Sequence, residues 1–407
     1  MGIVDFDFVP TGSVDPYPMY ERMREAGPVL RSPFGALMVH RYDDVRDVHG
    51  DFDRFSMSAM GAMAGPMSTA DGTSAGADAE VGMGGGDFLM AQTMLTVDPP
   101  DHERLRRVVN RAFTPRSIAG IEPRVREVTR ELLAPLADGE PFDIVADFAG
   151  PLPTIVISEL LGIPAEDAHQ FRLWTDAVTG TDVRERVDAE SRARYGIELR
   201  HYLARQIELR KGAPSDDLIG RMVEANTEQI MTDAEVVAAC VLLLVAGNET
   251  TMRLITNMTL ALGRFPDQLE RLVDDPELIA SGVEETFRYD SPVQWLFRGV
   301  TQDAVIDDVE VEKGQMVLTM LGAANRDPAA FDAPDQFDVG REDNMHVALG
   351  HGIHYCLGAP LARRETRIAF EELIDMAPQF KVLTADDELD YPPTGTLRSP
   401  RSLVVQA

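Results

Sequence analysis

The chain has 407 residues, 38 of them basic and 68 acidic, for a formal net charge of -30. That length supports an extensive core, and with no linker composition anywhere it points to a single domain over 1–407. So acidic a chain repels nucleic acid and anionic membrane surfaces, which excludes both as main partners, and two cysteines, Cys240 and Cys356, are too few for a disulfide framework or a cysteine-rich zinc site.

Met1 to Pro10 carries Asp5 and Asp7 and lacks a basic stretch followed by an apolar one, so no export is expected and the chain reads as cytoplasmic. Residues 29–39 read as a hairpin turning at Ser32-Pro33-Phe34-Gly35. From Ser56 to Val97 the texture changes to Met, Gly, Ala and Ser, with seven methionines and Phe88 as the sole aromatic, a composition that suits a flexible lid adaptable to apolar ligands. Amphipathic helices follow near 101–112, 121–136, 151–161, 165–178, 188–210 and 215–225. Thr232-Asp233-Ala234-Glu235 is a capping box opening a helix that should run to about Arg264, roughly 45 to 50 Å long. Its apolar run, Val236 to Gly247, is too short for a membrane span, and Cys240 within it reads as inert core. A shorter helix spans 276–289, and strand-like runs at Val305 to Val311 and Met316 to Leu321 flank a turn at Glu312-Lys313-Gly314. A last helix begins just after Cys356 and continues to Ile374.

Three stretches carry chemistry. The first is Leu349 to Ala359, LGHGIHYCLGA, which sets Cys356 in a loop where Gly350, Gly352 and Gly358 keep the backbone slim and free to take positive φ. Such a loop can bring a thiolate against a flat macrocycle as an axial ligand. The second is Ala246-Gly247-Asn248-Glu249-Thr250-Thr251 in the middle of the long helix. A glycine beside a charge and two hydroxyls is poor helix-interior chemistry, and local rules broken in this way mark function. Leu242, Val245, Ala246 and Thr250 share one stripe of that helix. The third is Glu285-x-x-Arg288, an i, i+3 pair able to form an ion pair, with Arg341 fifteen residues before Cys356.

Together these motifs resemble the cytochrome P-450 superfamily, the haem-thiolate monooxygenases, over nearly the whole chain from the hairpin to Leu397. The resemblance implies a mainly α fold with a minor β-sheet, haem b held between the long helix and the cysteine loop, and Cys356 as the iron ligand. It makes His102, Arg106, Arg298 and His354 the partners of the haem propionates, with Ala246, Leu349, Gly350 and Gly358 also lining the cofactor. The superfamily usually places Phe seven residues before the cysteine. Leu349 stands there here, a change that bears on the redox potential. Glu249 and Thr250 match the family's acid-alcohol pair, expected to deliver protons, and Glu285, Arg288 and Arg341 match its buried structural network. Leu242, Val245, Ala246, Val293, Gln294, Trp295, Leu296, Thr396 and Leu397 correspond to pocket positions, and the 56–97 loop to the lid above them.

The activity implied is insertion of one oxygen atom from dioxygen into a hydrophobic small molecule, by hydroxylation or epoxidation, with terpenoids, steroids, fatty acids and macrolides as classes and secondary metabolism as setting. No flavin or nicotinamide fingerprint occurs; the glycines at 82–86 lack a preceding strand. Electrons must therefore come from elsewhere, and the resemblance implies an iron-sulfur ferredoxin and its NAD(P)H-dependent reductase, docking on a basic patch of Arg104, Arg107, Arg111, Arg116, Arg363, Arg364 and Arg367 on a monomer. The alternatives are peroxide-driven oxidation, oxidative coupling or nitration on the same fold, and a non-catalytic haem-thiolate ligand-binding protein, which the presence of both Glu249 and Thr250 disfavours.

Overall fold

A computed structural model describes residues 2–8, 15–59, 92–113, 115–179, 188–213, 215–226, 230–392 and 396–407. Most of the lid expected at 56–97 lies outside the described residues. The chain divides into two compact units, each assembled from separated stretches of sequence.

The first unit comprises 1–82, 280–356 and 389–400. Its centre is a six-stranded sheet in the order Val4–Asp5, Val29–Arg31, Leu37–Val39, Met316–Thr319, Leu296–Val300, Phe55–Ser56. The expected hairpin is present, with Val29 opposite Val39 and Arg31 opposite Leu37. Leu37–Val39 then pairs in parallel with Val317–Thr319, an arrangement that needs a long crossover. Val29, Leu37, Val39, Val300, Val317 and Leu321 form one side's core, and Leu30, Met38, Trp295, Leu318 and Met320 the other's, the alternation a two-faced sheet requires. One expectation fails. Val305 to Val311 is two strands, Ala304–Ile306 and Val309–Val311, folded on each other. Asp307 and Asp308, at φ 45° and 60°, make the tight turn between them, a backbone that Asp tolerates better than most residues and that matches strand twist. In the same unit, Arg326 lies over the rings of Tyr17 and Tyr289, 3.9 and 3.6 Å from their centroids, and Asp290 accepts hydrogen bonds from Tyr17 Oη and Arg398 Nε.

The second unit comprises 83–279, 357–388 and 401–407 and is almost wholly helical. Its axis is the helix Asp233–Arg264, 32 residues long. Both capping-box bonds are made: Glu235 N donates to Thr232 Oγ1 at 3.2 Å, and Thr232 N donates to Glu235 Oε2 at 2.7 Å. By length and composition this helix could cross a membrane, but 61% of its most apolar window is buried inside the structure, as in the core helix of a globular protein. Around it pack Pro151–Leu161, Ala168–Thr179, Ala189–Gly212, Leu218–Asn226 and Ala359–Met376. The helix expected at 121–136 instead runs from Pro115 to Leu133, and a 3-10 turn takes over at Ala134–Asp138, where Pro135 cannot continue the α-helical bonding.

Candidate functional site

In the first unit, the cysteine loop owes its shape to two glycines. Gly350 and Gly352 sit at φ 74° and 70°, in the left-handed region, and a Cβ on Gly352 would lie 2.5 Å from the carbonyl oxygen of His49. Cys356 N donates to Leu349 O at 2.9 Å, closing the loop, and the Cys356 thiol is unoxidised and half-buried. Gly358 departs from expectation: its φ is -76°, and it serves as N-cap of the helix Ala359–Met376, its carbonyl accepting from Leu361 and Ala362. Leu349 is buried behind the loop, while His354 ends the 3-10 turn Gly352–His354 and is half-buried. Among the described residues no group of three His, Cys, Asp or Glu side chains could hold a metal ion.

The segment leading to the loop is fastened by charge. Glu285 and Arg288, both fully buried, form a two-pronged pair with both N···O distances 2.8 Å. Arg341 Nε adds contacts of 3.2 and 3.1 Å to the same carboxylate, and Asn344 Nδ2 and Asp338 N also donate to it. The Arg288 guanidinium in turn donates to the carbonyls of Asn325, Pro334 and Gln336. With every prong satisfied, the buried ions are held without orphaned donors, and the irregular chain between Asn325 and Arg341 is tied to one helix.

Arg298, in the strand Leu296–Val300, is 3% exposed. Its guanidinium meets Met57 Sδ, Phe297 O and His49 Nδ1, all neutral acceptors. His49 itself is held well below the usual imidazole range, first by burial and then by Arg298, His354 and His351 nearby. This unit therefore gathers positive or potentially positive groups beside the cysteine loop, a setting for an anion. His49 carries no sequence signal: it is one histidine at the end of a short helix.

Of the pocket positions here, Val293 and Leu397 are bridged strand-fashion, and Gln294 N donates to Thr396 O at 2.7 Å, so the two segments meet. Gln294 and Trp295 point into the core instead. Gln294 Oε1 accepts from Tyr20 Oη at 2.7 Å and its amide donates to Ser291 O, while Trp295 packs edge-on to Phe297. An amide bonded through both its oxygen and its nitrogen, and a buried ring, face the core of their own unit. Val293 and Leu296 are only half-buried.

In the second unit, the middle of the long helix is unlike its ends. Asn248, Glu249 and the run 251–262 are buried, whereas Ala246, Gly247 and Thr250 are half-buried, and a Cβ on Gly247 would meet nothing within 4 Å. Leu242 and Val245 continue this side as a small apolar cluster with Met94, Leu95 and Val178. Thr250 Oγ1 donates back to Ala246 O at 2.6 Å. Glu249 Oε1 accepts from Arg253 Nη2 at 2.5 Å, and its other oxygen is buried with no hydrogen-bond partner among the described residues. Arg253, one turn on, is thus a partner of the acid that motif reading passed over. Asn248 Nδ2 donates to Thr154 Oγ1 at 2.6 Å, pinning the helix to its neighbour at this point.

His102 is buried in the first turn of the helix Asp101–Ala112, and burial, then Arg106, lowers its pKa; Arg106 is half-buried on the next turn. The basic patch is less basic than its sequence. Arg104 is bound by Asp101 and Glu235, Arg364 by Glu122, and Arg367 by Glu122 and Glu371. Arg107 and Arg111 are exposed on one face of their helix.

The cytochrome P450 family profile matches residues 204–403. Cytochrome P450 107B1 of Saccharopolyspora erythraea is 38% identical, over 93% of this chain and 91% of that protein. Mycinamicin IV hydroxylase/epoxidase of Micromonospora griseorubida is 37% identical, over 95% and 94%. The crystal structure of CYP109E1 from Bacillus megaterium in complex with testosterone superposes with a TM-score of 0.82, at 34% identity, covering 96% of this chain and 99% of that one. Identity at this level, sustained over nearly the full length of relatives that share the fold, leaves one conclusion: the chain belongs to the cytochrome P450 family, monooxygenases that carry haem b.

Proposed function

We propose that this P450 inserts one oxygen atom from dioxygen into a C-H or C=C bond of a hydrophobic small molecule, with electrons supplied by a ferredoxin and its reductase. The observation that carries the reading is the half-buried, polar middle of the long helix, set between the buried runs 242–245 and 251–262. There Glu249 has one oxygen anchored by Arg253 and the other without a partner among the described residues, and Thr250 follows it in the chain. A carboxylate and an alcohol so placed can move protons to a reacting group. The residues present fit haem b: a half-buried thiol on a glycine loop, a buried guanidinium bonded to His49 Nδ1, and, among the described residues, open space beside Gly247. Cys356 would ligate the iron, Arg298 and His354 in one unit and His102 and Arg106 in the other would meet the propionates, and Ala246 would face the ring. When bound, the haem supplies dioxygen activation, which thiolate donation favours. A hydrophobic substrate suits the apolar cluster around Leu242 and Val245, and the relatives named for mycinamicin oxidation and bound to testosterone support macrolides and steroids as the first compounds to screen. A net charge of -30 favours a soluble, monomeric protein.

Thr250→Ala tests the reading. The variant should bind substrate and consume reductant at near-normal rates, while coupled product falls at least about tenfold and hydrogen peroxide accounts for the difference. Glu249→Gln should slow turnover and change its solvent isotope effect. Fully coupled product formation by Thr250→Ala, assayed with ferredoxin, reductase and dioxygen, would remove the proposed role.

The side chain of Arg116 lies outside the described residues, and the donor-docking proposal is tested at the exposed Arg107 and Arg111. Reversing Arg104 or Arg364 would break native ion pairs, whereas Arg107→Glu removes only an exposed charge. First-electron transfer from an acidic ferredoxin should slow about tenfold at low ionic strength and converge on the unmodified rate at high salt. An equal rate at low salt would count against this face.

A further inference from the structure

We infer that His49 is a positioning residue of the haem site, fixing the Arg298 guanidinium and seating the glycine turn of the cysteine loop. The inference rests on the assignment of Arg298 to a haem propionate. An arginine can only donate, so at 3.3 Å from Arg298 Nη2 the His49 Nδ1 must be the acceptor, and the proton resides on Nε2. Nε2 donates to Thr319 Oγ1 at 2.8 Å, and Thr319 Oγ1 donates onward to Leu296 O at 3.2 Å. The direction of every bond is then determined, and the imidazole is the neutral tautomer that its burial favours. The same residue supports the loop through its backbone. Its carbonyl oxygen fills the space a side chain on Gly352 would need, and Nδ1 lies 3.8 Å from a Cβ built on Gly350.

The choice of a neutral acceptor matters. A carboxylate in place of His49 would hold Arg298 as firmly but would cancel its charge, leaving little for an anionic ligand. An imidazole orients the guanidinium without itself cancelling the positive charge. His49 touches the arginine and the loop and not the reacting atoms, so its effect should be on cofactor retention.

Haem transfer from the holoenzyme to excess apomyoglobin, followed in the Soret region, reads this directly. Arg298→Leu sets the benchmark. If it does not speed haem loss, the propionate assignment of Arg298 falls and the role of His49 with it. His49→Leu should release haem about tenfold faster than the unmodified protein, the size of one lost bond to a charged donor. His49→Asn, whose amide oxygen reaches the position of Nδ1, should stay within about threefold of the unmodified rate. His49→Gln, which reaches the position of Nε2 and restores only the bond to Thr319, should behave like His49→Leu. Faster loss from Arg298→Leu with no change in His49→Leu would overturn the inference, as would equal losses from the Asn and Leu variants, which would mean that the imidazole acts by bulk alone.

Discussion

Cys356→Ser abolishes the strongly red-shifted Soret band that the reduced, carbon monoxide-bound protein should display, while Cys240→Ser leaves it intact. The contrast follows from the surroundings of the two thiols. Cys240 is completely enclosed by its helix and neighbours, so a macrocycle has no access to it, and burial pushes its pKa up to about 12. Cys356 is half-buried on a loop whose turn is made by two left-handed glycines, Gly350 and Gly352. A hydroxyl cannot replace a thiolate in donating to iron, so monooxygenase turnover should fall to background along with the band. A spectrum from Cys356→Ser that keeps the red-shifted band would mean that another group ligates the iron.

Glu285→Ala should lower stability by about 3–5 kcal/mol, because it strands the Arg288 guanidinium in a site with no exposure to solvent. The loss spreads beyond one pair. Arg341, Asn344 and the Asp338 amide all give up their acceptor, so the chain ahead of the cysteine loop loosens as well. Arg288→Lys keeps the charge but cannot offer the fork that meets both carboxylate oxygens while reaching Pro334 and Gln336, so it too should melt well below the unmodified protein. Arg124→Ala is the control. Its partners Glu127 and Glu159 are at the surface, and such pairs are worth about 0.2–1 kcal/mol. Thermal melts followed by circular dichroism should separate the two cases widely; a Glu285→Ala midpoint no lower than that of Arg124→Ala would show that the network contributes no more than a surface pair.

What the sequence reveals and what it hides have separate physical causes. The hairpin at 29–39, the capping box at Thr232 and the cysteine loop are legible because each is specified by residues within one short window. The turn at Asp307 and Asp308 was hidden inside a strand-like run, since neither residue is the glycine that usually announces positive φ. Gln294 and Trp295 look like pocket residues by position, but which way they face is decided by Tyr20, Ser291 and Phe297, and no local pattern encodes that. The arginine patch reads as basic only while Glu122, Glu235 and Glu371 are out of view, for they arrive from other helices or another turn. His49 acquires meaning from Arg298, Thr319 and Gly352, all more than two hundred residues away.

That separation has a consequence during synthesis. Val39 has its parallel partner in Thr319, and Tyr17 reaches Asp290 and, across its ring, Arg326, while Asp290 holds Arg398. The first strands leave the ribosome long before their partners exist, at about 5–20 residues per second, so the sheet must wait with unpaired edges while the helical unit is made. Pairing over such separations is slow, and open strand edges invite association with other chains. The short strands of this sheet, two to five residues each, limit that exposure, and the first unit can close only after the segment around Arg398 has emerged.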